Sequence, residues 1–275
     1  MYGRILTAVY EKGGGREMNA RGLMTALILL ICAALVLYSC ASDGEETATP
    51  QAEILFEEPF DYGTPDGDLS SITGNWTQFR TGQKITYESA SGLSLAGYSS
   101  GAGGAVRLKA DSFNGYESLE RSFEPQTDGV LYLGFLINSK VGHGYAGTAV
   151  GLCNEGSIVA GFYCIFPMSS PYIGYCSPTG GQATGINLYA KDATKLVVMR
   201  ADLDNDTVAF YNNPDVQSAK PPEPDWSRSY SGGFTQIDGV FLNHNVITNE
   251  LADPVKPENI VDEIKVVTGW EALVD

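Results

Sequence analysis

Basic residues are scarce in this chain of 275 residues: Lys and Arg total 17 against 33 Asp and Glu, for a net charge of −16. Phosphate backbones are gripped by clustered Lys and Arg, so this balance excludes nucleic acid as a partner. The acidity instead serves solubility or draws divalent cations. Histidine is scarcer still, with only His143 and His244. Long runs of helical periodicity are missing, which excludes a helical body. No phosphate loop occurs. No Cys-x-x-Cys pair and no Cys–His pairing points to zinc.

What the chain has in quantity is strand-like runs punctuated by turn residues, with 32 Gly and 13 Pro. The stretch that organises it is 194–214, TKLVVMRADLDNDTVAFYNNP. Two apolar runs flank an Asp/Asn-rich knot, the pattern of a β-hairpin. Leu196 and Val198 alternate with Val197 and Met199, so both faces of the first strand are apolar. Such a strand lies inside a sheet that has layers packed on both sides. Further strands are expected at 53–56, 76–79, 84–88, 105–109, 119–124, 130–138, 148–153, 157–166, 185–190, 195–203, 207–211, 235–242 and 261–267, with one helical turn at 270–274. Many short strands at this spacing mean an all-β sandwich or barrel in one domain of about 220 residues.

The N-terminal part reads differently. Residues 23–38, LMTALILLICAALVLY, form an uncharged run of 16, short for a bilayer span of about 20. Arg21 precedes the run and Ser39-Cys40 follows, which gives the three parts of a secretory signal. Leu37-Tyr38-Ser39-Cys40 resembles the bacterial lipobox. That resemblance implies cleavage before Cys40 and its lipidation; a transmembrane anchor ending at Cys40 is the alternative. The segment 11–17, EKGGGRE, can be written entirely in purine codons, as a ribosome-binding site would be, and stands directly before Met18. The expected division is therefore 1–17 as a mis-assigned extension, 18–39 as lipoprotein signal peptide, 40–52 as flexible tether and 53–275 as the folded domain. Asp43, Glu45 and Glu46 resemble the acidic export signal of surface lipoproteins in the Bacteroidota; a plain linker fits equally. The implied address is the bacterial outer membrane or cell surface, with the membrane touched only through the lipid anchor.

Cys153, Cys164 and Cys176 remain in the domain, an odd number for an oxidising compartment. One disulfide and one buried thiol is the simplest reading, with Cys164–Cys176 and Cys153–Cys164 as the candidate pairs. All three buried and free is also open.

The opening Phe56-Glu-Glu-Pro-Phe-Asp-Tyr62, the hairpin 198–214 and the close Ile260-Val-Asp-Glu-Ile-Lys-Val-Val-Thr-Gly-Trp270 together resemble the concanavalin A-like lectin/glucanase (laminin G-like) jelly-roll domains of secreted bacterial proteins. The resemblance covers 53–275 and implies a two-sheet antiparallel jelly-roll sandwich, one face of which is often open to a glycan. It says little of activity, because the fold hosts lectins, binding modules, glycanases and lyases. Retaining glycanases of this fold carry Glu-x-Asp-x-x-Glu on one strand, all three side chains aimed into the cleft. That spacing does not occur here. Lyases of the fold pair a His with a Tyr, for which His143 and Tyr145 are the candidates.

Related modules also hold a structural Ca²⁺ between first and last strands. Glu57 or Glu58 with Asp262 would supply hard oxygen ligands; Asp202, Asp204 and Asp206 are a second set, unless they build the turn by bonding its backbone. Sugar faces stack on exposed aromatics, and Tyr145, Tyr172, Tyr175 and Trp226 look loop-borne, whereas Trp76 and Trp270 look like core. The expectation is a monomeric, lipid-anchored, non-catalytic domain binding polysaccharide or another cell-surface glycan. A lyase or hydrolase of the same fold, and a surface or adhesion protein without a small ligand, are the alternatives.

Overall fold

The computed structural model describes residues 51–275 except 73, 81–84, 110–115, 141–145, 166–171, 177–185, 188–192, 231–232, 247–257 and 274–275. The segments expected as extension, signal and most of the tether, Cys40 included, lie outside the described residues.

Eighteen strands are described: β1 Ile54–Glu58, β2 Gly67–Asp68, β3 Thr77–Arg80, β4 Thr86–Glu88, β5 Ser94–Leu95, β6 Ser99–Ser100, β7 Ala105–Lys109, β8 Tyr116–Gln126 and β9 Val130–Lys140. They continue with β10 Ala146–Asn154, β11 Ser157–Ile165, β12 Tyr172–Cys176, β13 Ile186–Asn187, β14 Thr194–Asp202, β15 Thr207–Asn212, β16 Trp226–Ser229, β17 Ile237–Val246 and β18 Glu258–Val267. The described helical pieces are single turns, Leu69–Ile72 and a 3₁₀ turn at Trp270–Leu273. Neither is long enough to cross a membrane.

Two large antiparallel sheets stack face to face. One runs β16-β15-β14-β9-β18-β7-β4-β2, with β1 also paired to β18, and the other runs β13-β12-β11-β10-β17-β8-β3. β5 and β6 form a separate small hairpin. Every described pairing is antiparallel, and the jelly-roll sandwich expected from the sequence is what the chain forms. The hairpin at 194–214 pairs Val197 with Asn212 through Asp202 with Thr207. Its first strand lies third from one edge of the nine-stranded sheet; β9 and β18 are more central.

Period-two alternation decides where each side chain goes. From β14, Val197, Met199 and Ala201 enter the core between the sheets, while Leu196 and Val198 enter a second apolar layer on the sheet's other face. Between the sheets, Phe135 of β9 meets Phe162 of β11 edge-on at 5.4 Å, and Phe60 stacks on Trp76 at 6.2 Å. Trp76 and Trp270 are both buried as expected, and each indole N–H finds an acceptor, the Tyr62 hydroxyl and the Ser218 carbonyl. β18 carries a bulge between Asp262 and Lys265, where Glu263 sits at φ 51°.

Cys153 is a free, buried thiol, so the Cys153–Cys164 bridge is not formed. Cys164 stands opposite Ile173 and Cys176 opposite Gly161 in the β11–β12 ladder, so the two are not register partners. Their side chains lie outside the described set.

Candidate functional site

The four aromatic candidates do not form one described cluster. Tyr145, with His143, lies outside the described residues. Tyr172 and Tyr175 are on β12, in register with Ile165 and Phe162, and their side chains are not described. Trp226 is not loop-borne. It belongs to edge strand β16 of the other sheet, half-buried, with its ring 5.7 Å from that of Phe210 and packed against the main core. His244 is 1% exposed and sits opposite Glu117 in the β17–β8 ladder, beyond reach of a bound polymer.

The acidic candidates separate as well. Glu57 is exposed and pairs with Lys265 at 3.2 Å. Glu58 is buried, ion-paired to Arg121, and accepts the Phe60 N–H at 2.9 Å. Asp262 accepts the Leu93 and Glu263 N–H groups, each at 2.7 Å. Glu58 stands opposite Ile264 of the inner core, and Asp262 opposite Leu136 of the outer layer, so the sheet itself lies between the two carboxylates. Adjacent strand residues face opposite ways, which parts Glu57 from Glu58. The Ca²⁺ cage expected from these three is therefore not assembled. Burial pushes the Asp262 carboxyl up to about 8, against the two N–H groups that favour its charged form.

Asp202, Asp204 and Asp206 also diverge: Asp202 builds the turn, and the other two tie it to neighbouring segments. Asp202 accepts the Asn205 N–H at 3.0 Å and pairs with Arg200. Asp204 accepts the Gly129 N–H at 3.0 Å. Asp206, at φ 49°, accepts the Phe234 N–H at 2.7 Å. Gly97-Tyr-Ser-Ser-Gly101 carries the letters of the Gly-x-Ser-x-Gly nucleophile motif and was not among the sequence candidates. It forms the β5–β6 hairpin instead of a strand-to-helix elbow. Ser99 Oγ lies 2.7 Å from Glu263 Oε1 and 3.2 Å from the Leu93 carbonyl, so its hydroxyl locks the hairpin down.

The two outer faces of the sandwich differ in kind. The nine-stranded sheet is covered by its own chain: Leu93, Val216, Trp270, Ala272 and Leu273 close over Tyr132, Leu136, Leu196 and Val198. On the outer face of the seven-stranded sheet, the described apolar cluster is only Cys153, Phe241 and half-buried Ile158. Around it stand hydrogen-bonding groups. Ser118, Glu120 and Ser122 alternate with inward-facing Leu119, Arg121 and Phe123 along β8, and Asn243 Nδ2 donates to Ser118 Oγ at 3.2 Å. Ser118, Asn243 and Phe241 are buried; Glu120 is half-buried and Ser122 exposed, so the accessible described groups lie toward one end. Gly151 lets Phe241 lie flat there: a Cβ at 151 would come within 2.5 Å of its ring.

At that end the Glu120 and Asp238 carboxylates and the Cys153 thiol come together, their ligand atoms all within 4.8 Å of one another. No spacing in the chain announces this group, since strand register alone assembles it. A hydrolase would need an acid and a base facing across a sugar bond. Here a buried thiol lies beside both carboxylates, and Asp238 is already held by the Glu155 N–H at 3.0 Å and Gln236 Nε2 at 3.1 Å.

No family model matches this chain, and no curated protein matches it. Solved structures do. One described as a sialidase superposes with a TM-score of 0.51 at 12% identity, over 78% of this chain and 18% of the other, so this chain spans under a fifth of that protein. Another comes from work on endo-acting O-glycanases that prominent members of the human gut microbiota express to initiate mucin breakdown. It superposes with a TM-score of 0.50 at 13% identity, over 79% of this chain and all of the other. Lectin II from Ulex europaeus matches with a TM-score of 0.47 at 10% identity, over 77% and 96% of the two chains. At these identities the likeness concerns the fold, which is the concanavalin A-like jelly roll.

Proposed function

We propose that this protein is a non-catalytic, glycan-binding β-sandwich, held at a bacterial outer membrane or cell surface by lipid on Cys40. The observation that carries the reading is the contrast between the two outer faces. One is sealed by a second apolar layer; on the other the accessible described polar groups are half-buried Glu120 and Asp238 and exposed Ser122, at one end of the sheet beside a buried apolar patch. A face built for packing is apolar; a face built for sugars needs hydrogen-bonding groups fixed on a rigid sheet. The neighbours described as sialidase, O-glycanase and lectin have names that concern glycans, and the Glu-x-Asp-x-x-Glu of retaining enzymes is missing here. Affinity electrophoresis of the full chain through gels containing plant, marine and mucin polysaccharides tests the binding. Retardation on at least one polymer without release of reducing ends or unsaturated uronides is the expected result. Release of either product would make the protein a hydrolase or lyase, and no retardation on any polymer would remove the glycan. Labelling of cells with an alkyne fatty acid tests the anchor: the wild-type protein takes the label and Cys40→Ser does not.

A further inference from the structure

We propose that Glu120, Cys153 and Asp238 form a binding site for a borderline divalent cation such as Zn²⁺, with Cys153 ligating as the thiolate. The site is separate from the proposed lipid anchor; it shares Glu120 with the proposed glycan face but does not depend on that reading. Its three side chains come from three neighbouring strands, β8, β10 and β17. Two irregularities aim them. The β10–β11 register shifts between Leu152 and Cys153, and the β17–β8 register shifts between Ile237 and Gly239, so Asp238 sits in the displaced step. Bulges of this kind redirect a side chain out of the regular pleat.

Two further observations point to a cation. First, Gly239 stands in register with both Cys153 and Ser122, and a Cβ there would lie 2.9 Å from Cys153 Sγ and 3.0 Å from Glu120 Oε1. The missing side chain keeps that small volume clear beside two of the three ligand atoms. Second, the negative charge is uncompensated. Among the described residues the ion pairs go to Glu57, Glu58, Glu88, Asp202 and Glu258, and none goes to Glu120 or Asp238. Two carboxylates that no described ion pair reaches, beside a buried neutral thiol, favour a cation there.

The donor set selects the metal. Calcium and magnesium take all-oxygen shells and have no use for a thiol. One sulfur with two carboxylate oxygens suits zinc, with a fourth position left for water or another ligand. Ligands about 2.0–2.3 Å from tetrahedral zinc stand about 3.3–3.8 Å apart, so a small contraction closes the present group. Glu120 and Asp238 are half-buried, at the edge of the packed layer. Asp238 is oriented from outside by the Glu155 N–H and by Gln236, as metal-bound carboxylates are. Without metal, burial and the adjacent Glu120 and Asp238 push the thiol far up, so it stays protonated. Binding replaces the S–H bond by a sulfur–metal bond and releases one proton to solvent, with no change of oxidation state.

The full-length protein in detergent is titrated with Co²⁺ and then Zn²⁺. The expected result is one equivalent of Co²⁺, a near-ultraviolet sulfur-to-cobalt charge-transfer band, and its loss when Zn²⁺ displaces the cobalt. Cys153→Ser abolishes the band. Glu120→Gln and Asp238→Asn, at half-buried positions that leave the core intact, each weaken Zn²⁺ binding by about tenfold or more in competition with a chromogenic chelator. A Cys164→Ser, Cys176→Ser double variant retains the band. A band that persists in Cys153→Ser, Zn²⁺ affinity unchanged in Glu120→Gln, or no cobalt band in the wild-type protein would overturn the proposal.

Discussion

The outer face of the nine-stranded sheet and that of the seven-stranded sheet begin from the same strand geometry and end differently. In the first, the side chains pointing away from the core include an apolar set, Tyr132, Leu136, Leu196 and Val198, and a hairpin, a loop and the final 3₁₀ turn close over them. In the second, described outward positions carry Ser118, Glu120, Ser122, Asn243, Cys153 and Gly151, with the ring of Phe241 against that glycine. The first face contributes stability; in the proposed reading the second contributes the groups that bind. The lesson is that a strand apolar on both sides marks the sealed layer, and that function should be sought on the sheet whose strands alternate.

Four measurements sharpen or break this contrast. The largest effect is expected on the sealed face. Trp270→Ala should cost about 3–5 kcal/mol in chemical denaturation, because the indole is 2% exposed and donates to Ser218. A loss below about 1 kcal/mol, as for a surface change, would mean that the layer does not hold the sheet.

Next comes Asp262, beneath the same layer. Its carboxyl is raised from 3.8 to about 8, so the folded state holds the proton more tightly than the unfolded chain. Its contribution is complete below about pH 4 and is lost as pH rises through about 8, an effect on the order of a few kcal/mol. Asp262→Asn should flatten that decline in a pH series of melting curves, and an unchanged slope would place the proton elsewhere.

Gly151→Ala probes the other face. Its Cβ would meet the Ala160 carbonyl oxygen at 2.3 Å and the Phe241 ring at 2.5 Å, and overpacking should cost about 1–3 kcal/mol. The smallest stability effect is expected at exposed Ser122, where Ser122→Gln should stay within about 0.5 kcal/mol yet reduce retardation on any polysaccharide that retards the wild-type protein. Retardation unchanged by that substitution would move the binding surface off this end of the sheet.

Much of the fold was legible because strand burial is written at period two. The 105–109 run is β7 residue for residue, and the hairpin at 194–214 pairs as its apolar runs require. Trp226–Ser229 was missed because three of its four residues are exposed; it is a strand only by pairing with β15. Tyr172–Cys176 was missed because a Gly interrupts a run of five residues. Of the acidic triplet only Asp202 was legible as turn chemistry; Asp204 and Asp206 accept from Gly129 and Phe234, far away in the chain, so the three form no ligand set. Glu120, Cys153 and Asp238 were not legible at all. They are far apart in the chain, and only the ladders β8–β17 and β10–β17 bring them together. Register is a long-range property that local patterning does not encode.

The pairing of β1 with β18 has a consequence for how this domain can be rebuilt. Glu53 and Thr268 exchange backbone and side-chain hydrogen bonds, and Ala52 packs with the layer that holds Trp270. The two ends of the described sandwich thus lie side by side. A short linker from the final turn back to residue 51 would let the polypeptide be reopened in the exposed stretch 219–223, giving a circular permutant that keeps every rung of both sheets.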